Sequence, residues 1–326
     1  MIDMATTLTF ESSPHIRTNK TVACAMYHVL LALVPAVACS IYFFGLPALY
    51  VLLTSVISCM AVEWFVTSVM FKRKCTLADG SAALTGVLLA LNLPSIIPLW
   101  MVVAGAVMAI GVAKMAFGGL GCNIFNPALV GRVFLLISFP VAMTSWPVVD
   151  GVTGASWINP DGVTGATFLS MVKTGGIDPT HLPISNLLTG EMSGSMGEVS
   201  TIALIAGFVY LLAVRVIKWL IPVSIIAGLA VVDIFAGYPV YIDILTGGLL
   251  LGTIFMATDY VTSPMTKMGM LVYGLIIGAL TAVIRRWGAY PEGMSFAILI
   301  MNGFTPLINR YMRPRRYSPR RKEAVA

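Results

Sequence analysis

The sequence predicts an all-α, polytopic membrane protein of about ten transmembrane helices, arranged as two inverted five-helix repeats with interrupted helices. Three observations carry that prediction. Hydrophobic residues fill 58% of the 326 positions and charged residues 10%, against about 25% charged in soluble domains. Apolar stretches recur along the whole chain, most of them near the roughly 20 residues that cross a hydrocarbon core. Lys and Arg gather at alternate ends of those stretches, the bias that orients helices in a membrane.

The stretches run 24–44, 47–71, 81–94, 99–117, 126–143, 199–218, 220–237, 242–258, 269–284 and 294–309. The third is short and stops at Pro94. The fifth opens at Asn126-Pro127, with proline suited to a first helical position. Arg17 and Lys20 precede the first stretch, and Lys72, Arg73 and Lys74 follow the second. Arg215 and Lys218 end the sixth, Lys267 follows the eighth, and Arg310, Arg313, Arg315, Arg316, Arg320, Arg321 and Lys322 follow the tenth. All fall on one side if both termini are cytoplasmic. Arg285 and Arg286 break the rule, which points to a binding site or to a span count off by one. The organisation expected is a five-span repeat over 1–143, an outward loop over 144–198, a second five-span repeat over 199–309 and a basic tail over 310–326. No cleavable signal peptide is expected, because the first 23 residues are polar and no small-residue cleavage site follows the first apolar run.

The net charge of +6 is not a nucleic-acid signature, since seven of the 20 basic residues sit in the tail. A basic tail after an apolar span reads as an anchor on anionic membrane lipid. The five cysteines (Cys24, Cys39, Cys59, Cys75, Cys122) and three histidines are scattered, so no metal site or haem ligation is expected. The cysteines read as packing residues, with Cys122 also placed to lie near a neighbour's redox centre.

The inverted repeat rests on ALTGVLLAL (83–91) and ILTGGLLLG (244–252), which share Leu, Thr, Gly, Leu and Leu and each follow an acid, Asp79 or Asp243. Each is followed by a span and a Gly-rich break. Interrupted helices at matching places in two halves mark a pathway near the midplane. Thr85, Gly86, Thr246 and Gly247 are therefore candidate ion-pathway residues, since small residues let backbones approach and hydroxyls or freed carbonyls coordinate cations.

In the polar stretch lie two near-identical heptads, DGVTGAS (150–156) and DGVTGAT (161–167). An acceptor hydroxyl for covalent attachment needs exposure, a sharp backbone turn and small neighbours. Thr164, Gly165 and Ala166 before Thr167 meet those needs, as does a turn with no chemistry. The second copy resembles the motif on which a flavin transferase joins FMN to threonine through a phosphodiester. Thr167 is favoured over Ser156, which runs into the turn of WINP; Trp157 is a candidate stacking face.

Further segments carry a fuller resemblance: SSPHIRTNKTVACAMYHVLLALVPA, DGSAALTGVLLALNLP, MTSWPVVDGVTGA, GSMGEVS, IPVSII, FMATDYVTSPMTKMGMLVYG and YPEGMSFAILIMNGFTPLI. In that order, across essentially the whole chain, they resemble the RnfD family, the D subunits of the Rnf ion-translocating oxidoreductase complex. The related NqrB chains of the sodium-translocating NADH:quinone reductase share the pattern but usually carry a longer N-terminal region. The resemblance implies electron transfer between ferredoxin and NAD coupled to Na+ or H+ translocation. It implies FMN on Thr167, room for a second noncovalent flavin such as riboflavin, and partnership with the A, B, C, E and G subunits of the complex. Maturation by a flavin transferase in a bacterial or archaeal plasma membrane follows, with the flavin loop outside. Tyr260 and Phe168 depart from the family, where proline is commoner. Thr258, Thr262 and Ser263 are candidates for cradling a flavin, and His15 and Arg17 for contacting a partner or a flavin phosphate. Such a chain is not catalytic alone. The rival reading is a non-redox channel or solute transporter of the same fold.

Ionisable residues inside spans are functional candidates by default. Glu63 and Asp233 are read as ion-pathway residues. The competing reading for Glu63 is a satisfied pair with Lys114. Asp79 and Asp243 open the repeated helices and complement their dipoles.

Overall fold

The computed structural model describes residues 21–73, 75–147, 164–165, 169, 173, 194–198, 200–288 and 292–312. Helix α1 covers Val22–Trp64 and runs on as a π-helix over Phe65–Met70. The Thr21 hydroxyl caps it by accepting from the Cys24 N–H at 3.2 Å. A straight helix of 43 residues would reach about 65 Å, twice a bilayer core. Gly45 (φ 67°, ψ −148°) breaks it, in a conformation that glycine adopts without strain. Val37 before the break and Leu52 after it line one groove, so the two arms fold back on each other.

Helix α2 is short, Ser81–Leu91, and opens behind the left-handed Gly80. Helix α3 covers Leu99–Ala106 and continues as a π-helix over Val107–Met115. Helix α4, Pro127–Ser138, has Asn126 as its cap, the side chain accepting from the Ala128 N–H at 3.1 Å. Helix α5, Pro140–Thr144, follows directly. In the second half lie α6 (Thr201–Ala213), α7 (Leu220–Phe235), α8 (Val240–Leu245), α9 (Leu249–Leu251, running on as a π-helix over Gly252–Met256), α10 (Lys267–Trp287) and α11 (Met294–Tyr311). Among the described residues the one strand pair is β1 (Trp146–Pro147) with β2 (Thr164–Gly165), antiparallel.

The polarity runs inward. Glu63, Lys114, Arg132, Asp233, Asp243 and Arg285 are all buried, while Leu31, Ile57, Ile137, Val209 and Phe235 are exposed. Burying charge while presenting aliphatic surface is costly in water and natural in lipid. Val22–Met70 and Lys267–Trp287 are long and apolar enough to cross a membrane; α2, α4, α6 and α7 are shorter apolar helices.

Close packing depends on small residues. A Cβ added at Gly278 would stand 2.0 Å from the Ile225 carbonyl oxygen, and one at Gly228 2.2 Å from that of Leu275. Gly274 and Gly278 on α10 thus meet Ser224 and Gly228 on α7, the small-xxx-small geometry by which membrane helices approach.

The molecule has two distinct ends. At one, Thr21, Gly121, Val214–Val216 and Tyr260 line a common pocket, and the Tyr260 hydroxyl donates to the Val216 carbonyl. At the other lie β1–β2, Leu169, Glu198, Gly247 and Glu292.

The matched LTG segments do not share a conformation. Residues 84–86 lie inside α2, whereas Thr246 ends α8 and Gly247 and Gly248 are both left-handed (φ 73° and 63°). What the two regions share is a left-handed glycine, Gly80 or Gly248, that opens a short helix. Asp79 ends a 3₁₀ turn and Asp243 lies within α8 in an ion pair, so neither caps the helix it was expected to open.

Candidate functional site around Gly247 and Glu198

Thr167 and Ala166 lie outside the described residues, as do Ser156, Trp157, Phe168, His15 and Arg17. The residues flanking Thr167 are anchored on both sides. The backbone of Thr164 and Gly165 pairs with Pro147 and Trp146, and Trp146 is buried. Leu169 is buried against Gly247, where an added Cβ would stand 2.6 Å from Leu169 Cδ1 and 2.5 Å from Arg285 Nη2. Lys173 donates to the Gly288 carbonyl. Its ammonium lies below the ordinary lysine value, through desolvation first and the nearby Arg286 second.

Gly247 is the hub of this end. Its N–H donates to Glu198. Its carbonyl accepts from Arg285 Nη2 at 3.1 Å, as does that of Thr246 at 3.1 Å, and Arg285 Nη1 reaches the Asp243 carbonyl at 2.7 Å. One guanidinium therefore closes the end of α8, where helices leave carbonyls unpaired. Those carbonyls were expected to be free for a cation, and they are occupied. The Thr246 hydroxyl donates to the Ile242 carbonyl at 2.6 Å.

Glu198 is buried with three neutral donors: the Gly247 N–H, the Ser195 N–H at 3.3 Å and the Ser195 hydroxyl at 3.1 Å. Desolvation, and then the charge of Glu292, push its carboxyl up to about 7, against those donors. The SMG segment docks on the end of α2, with Gly197 N–H donating to the Leu91 carbonyl at 2.7 Å and Met196 N–H to that of Leu93 at 3.3 Å.

Arg132 gathers the next layer. Nη1 donates to Asn92 Oδ1 at 2.9 Å and to the Ser295 hydroxyl at 2.8 Å, while Nη2 pairs with Glu292. Glu292 Oε1 and Arg132 Nε are buried without a partner among the described residues. Asn126 Nδ2 donates to the Met256 carbonyl at 3.2 Å, and Tyr273 pairs with Asn302 at 2.7 Å. The sequence reading missed Arg132, although it is a charged residue in the middle of an apolar stretch and carried the signal used for Glu63.

Arg285 and Arg286, the topology exceptions, are consumed internally. Arg286 pairs with Asp233 at 2.9 Å and Asp243 at 2.7 Å, its Cζ lying 3.3 Å from the Tyr238 ring centre. Asp233 is thus half of an ion pair. Glu63 is likewise satisfied: Oε2 meets Lys114 Nζ at 2.5 Å, and Oε1 accepts from Thr76 at 2.7 Å. Lys114 also donates to Ser81 at 2.7 Å.

Thr85 and Gly86 do not meet Thr246 and Gly247. The Thr85 hydroxyl donates to Ser81 within its own helix at 2.9 Å, and Thr85 lines a cavity of about 60 Å³ with Ser81, Lys114, Asn123, Asn126 and Asp259. Gly86 packs on the α1 backbone, where a Cβ would lie 2.7 Å from Val56 Cα, and its carbonyl accepts from Ser55 at 2.7 Å. Thr262 donates to Asp259 at 3.3 Å, and Thr258 to the Ile254 carbonyl. With Ser263 they follow Met256, and Thr258 lies beside Tyr260. Burial holds the Asp259 carboxyl above its ordinary value. All five cysteines are free thiols; Cys24, Cys75 and Cys122 are exposed rather than packed and Cys59 is buried, and no metal-holding group of His, Cys, Asp or Glu occurs among the described residues.

Known proteins give the arrangement a family. The chain is 42% identical over 327 residues to the D subunit of the proton-translocating ferredoxin:NAD(+) oxidoreductase complex of Clostridium ljungdahlii, covering 96% of this chain and 97% of that one. It is 42% identical over 326 residues to the D subunit of the Na(+)-translocating ferredoxin:NAD(+) oxidoreductase complex of Acetobacterium woodii, covering 98% of each. The D subunit of the ion-translocating oxidoreductase complex of Escherichia fergusonii is 36% identical over 347 residues, with 95% of this chain and 98% of that one covered. The model of the NQR2, RnfD, RnfE family matches residues 9–318, a span that holds Arg132, Glu198, Gly247 and the heptad at 161–167 alike, and the chain belongs to that family.

Proposed function

We propose that this chain is the membrane-embedded D subunit of an ion-translocating ferredoxin:NAD oxidoreductase complex, carrying FMN on Thr167 and working beside the A, B, C, E and G subunits of the Rnf assembly. The near-full-length likeness to named D subunits is the observation that carries the complex and its reaction. The two relatives at 42% identity are named for different ions, one for protons and one for Na+. Overall similarity therefore leaves the coupling ion, Na+ or H+, to local chemistry.

The flavin assignment is supported by how the heptad's flanks are held. Thr164 and Gly165 are paired and Leu169 is seated on Gly247, so the acceptor sits between two anchored points of the chain. Those residues suit a covalently tethered group: Thr167 would hold it, Gly165 and Ala166 leave room, and the pairing limits its reach. When bound, FMN supplies acceptance and donation of single electrons. The chain's own part is to fix the acceptor segment and to set the charge beneath it through Glu198, Glu292 and Arg132. A second, noncovalent flavin such as riboflavin is compatible with this reading.

The architecture that goes with it is two inverted five-span repeats, 1–143 and 199–309, joined by an outward loop over 144–198 and ending in a basic cytoplasmic tail over 310–326. Lys72, Arg73, Arg215 and Lys218 lie between helices and Lys267 is the first residue of α10, and both misplaced arginines are neutralised by acids. That supports cytoplasmic termini and a flavin loop on the outer side, where a flavin transferase meets it.

The test is denaturing electrophoresis of the purified chain under ultraviolet light, made with its flavin transferase, followed by mass mapping of the fluorescent peptide. Fluorescence in the parent and in Ser156→Ala, lost in Thr167→Val, is expected. A non-fluorescent parent beside an active transferase would reverse the redox reading in favour of a non-redox transporter of the same fold.

A further inference from the structure

We propose that Glu198 is the proton-binding residue that balances charge beneath the acceptor loop. Its buried carboxylate gains one proton from the adjoining water as one electron arrives on the flavin, and releases it when the electron leaves. The electron comes from the reduced carriers of the complex, so one negative and one positive charge enter together and the buried charge is unchanged. The inference rests on the reading that Thr167 carries FMN.

Placement is the first support. Glu198 accepts from the N–H of Gly247, the residue on which Leu169 rests. Thr167 is two residues before Leu169, and two residues of chain reach at most about 7 Å. A group tethered at Thr167 is thus kept within a short length of chain of the residue seated on Glu198's own donor, in a region where low polarity strengthens interactions between charges.

Compensation is the second. Glu63 has Lys114, Glu292 has Arg132, and Asp233 and Asp243 share Arg286. Glu198 alone among these buried acids has only neutral donors among the described residues. Lys173, the one basic residue of 144–198, donates to the Gly288 carbonyl. Arg285 is engaged by the carbonyls of Asp243, Thr246 and Gly247 and lies 3.5 Å from Asp243 Oδ1. The groups facing Glu198 are therefore Ser195 on its own segment, Gly247 ahead of α9, Arg285 from α10, and Glu292 ahead of α11 with its partner Arg132 from α4. Glu292 is the one whose charge acts on it, and Glu292 Oε1 is buried without a partner among the described residues. A carboxylate so placed changes charge without an ion pair having to break.

The experiment is infrared difference spectroscopy of the assembled complex, oxidised against reduced, with flavin fluorescence of the denatured chain read on the same samples. On reduction the parent gains a protonated-carboxyl band that shifts in heavy water. Glu198→Gln loses the band while its chain still fluoresces, and Glu198→Asp restores one. Ser195→Ala, which removes a donor to the charged form, moves the band's onset to higher pH and serves if Glu198→Gln fails to assemble. A band retained in Glu198→Gln, no band in a fluorescent parent, or an unmoved onset in Ser195→Ala overturns the proton site and leaves the flavin intact. A parent without fluorescence overturns both.

Discussion

Single residues in this protein are governed by whether a buried charge has a partner. Glu63 and Lys114 are 1% and 3% exposed and 2.5 Å apart, and removing one member of such a pair leaves an uncompensated charge costing about 3–5 kcal/mol. Lys114→Met should therefore destabilise strongly in thermal unfolding of the purified chain, while the double change Glu63→Leu with Lys114→Met should recover most of the loss. A single change as mild as the double would mean that water reaches the site. Glu198, which has neutral donors and no ion-pair partner among the described residues, behaves differently. Its carboxyl sits at about 7 in the folded chain against 4.5 ordinarily, so between those values the native state binds more protons than the unfolded one. Stability accordingly falls as pH rises through that window and levels off above it, by up to about 3 kcal/mol. Glu198→Gln should flatten that segment of the melting profile, and a parallel curve would place the titration elsewhere. The Glu63–Lys114 pair was legible in the sequence as a competing reading because both residues interrupt apolar runs. The partners of Arg132 were not, because Asn92, Glu292 and Ser295 come from three distant segments and no periodicity joins them.

At the scale of elements, the apolar runs foretold where helix lies because length and hydropathy are local properties. The breaks were harder. LTGV and LTGG look alike, yet the first stays inside α2 and the second turns out of α8. The fourth letter decides: Val87 cannot adopt the positive φ that Gly248 holds at 63° without steric cost. Gly248→Val should thus undo the break, disturbing Glu198 through the neighbouring Gly247, and would register as lost expression of folded chain. Glycine spacing on α10 makes a sharper comparison. Gly278→Ala places a methyl 2.0 Å from a backbone oxygen of α7, whereas one at Gly111 meets only ordinary contacts at 3.9 Å and beyond. Overpacking against backbone costs at least about 1–3 kcal/mol, and relief of glycine's entropy within a helix contributes up to about 1 kcal/mol the other way. Gly278→Ala should lower the melting temperature clearly and Gly111→Ala should leave it equal or higher. Equal effects would mean that α7 and α10 separate freely.

The molecule as a whole is assembled through its buried polar layer, since apolar surface gives no preference between lipid and a neighbouring helix. Arg132 occupies the centre of that layer. It comes from α4 in the first half, and its fork reaches Asn92 at the end of α2 and Glu292 and Ser295 at the start of α11. Those are the segments that also meet Glu198, through Leu91 on one side and the charge of Glu292 on the other. A lysine at 132 would keep the charge but not the geometry, because an ammonium is a point donor on a flexible stem and a guanidinium is a rigid planar fork. It would hold Glu292 or the pair Asn92 and Ser295, not all three. Arg132→Lys should consequently lower the unfolding temperature and increase protease cleavage near residues 194–198 and 292–293, which pack against the end of α2 and against Arg132. Arg132→Met should do more, since it strands the Glu292 carboxylate as well. If lysine matched the parent in both assays, the contacts with Asn92 and Ser295 would carry no weight, and the union of the halves would rest on the charge pair alone.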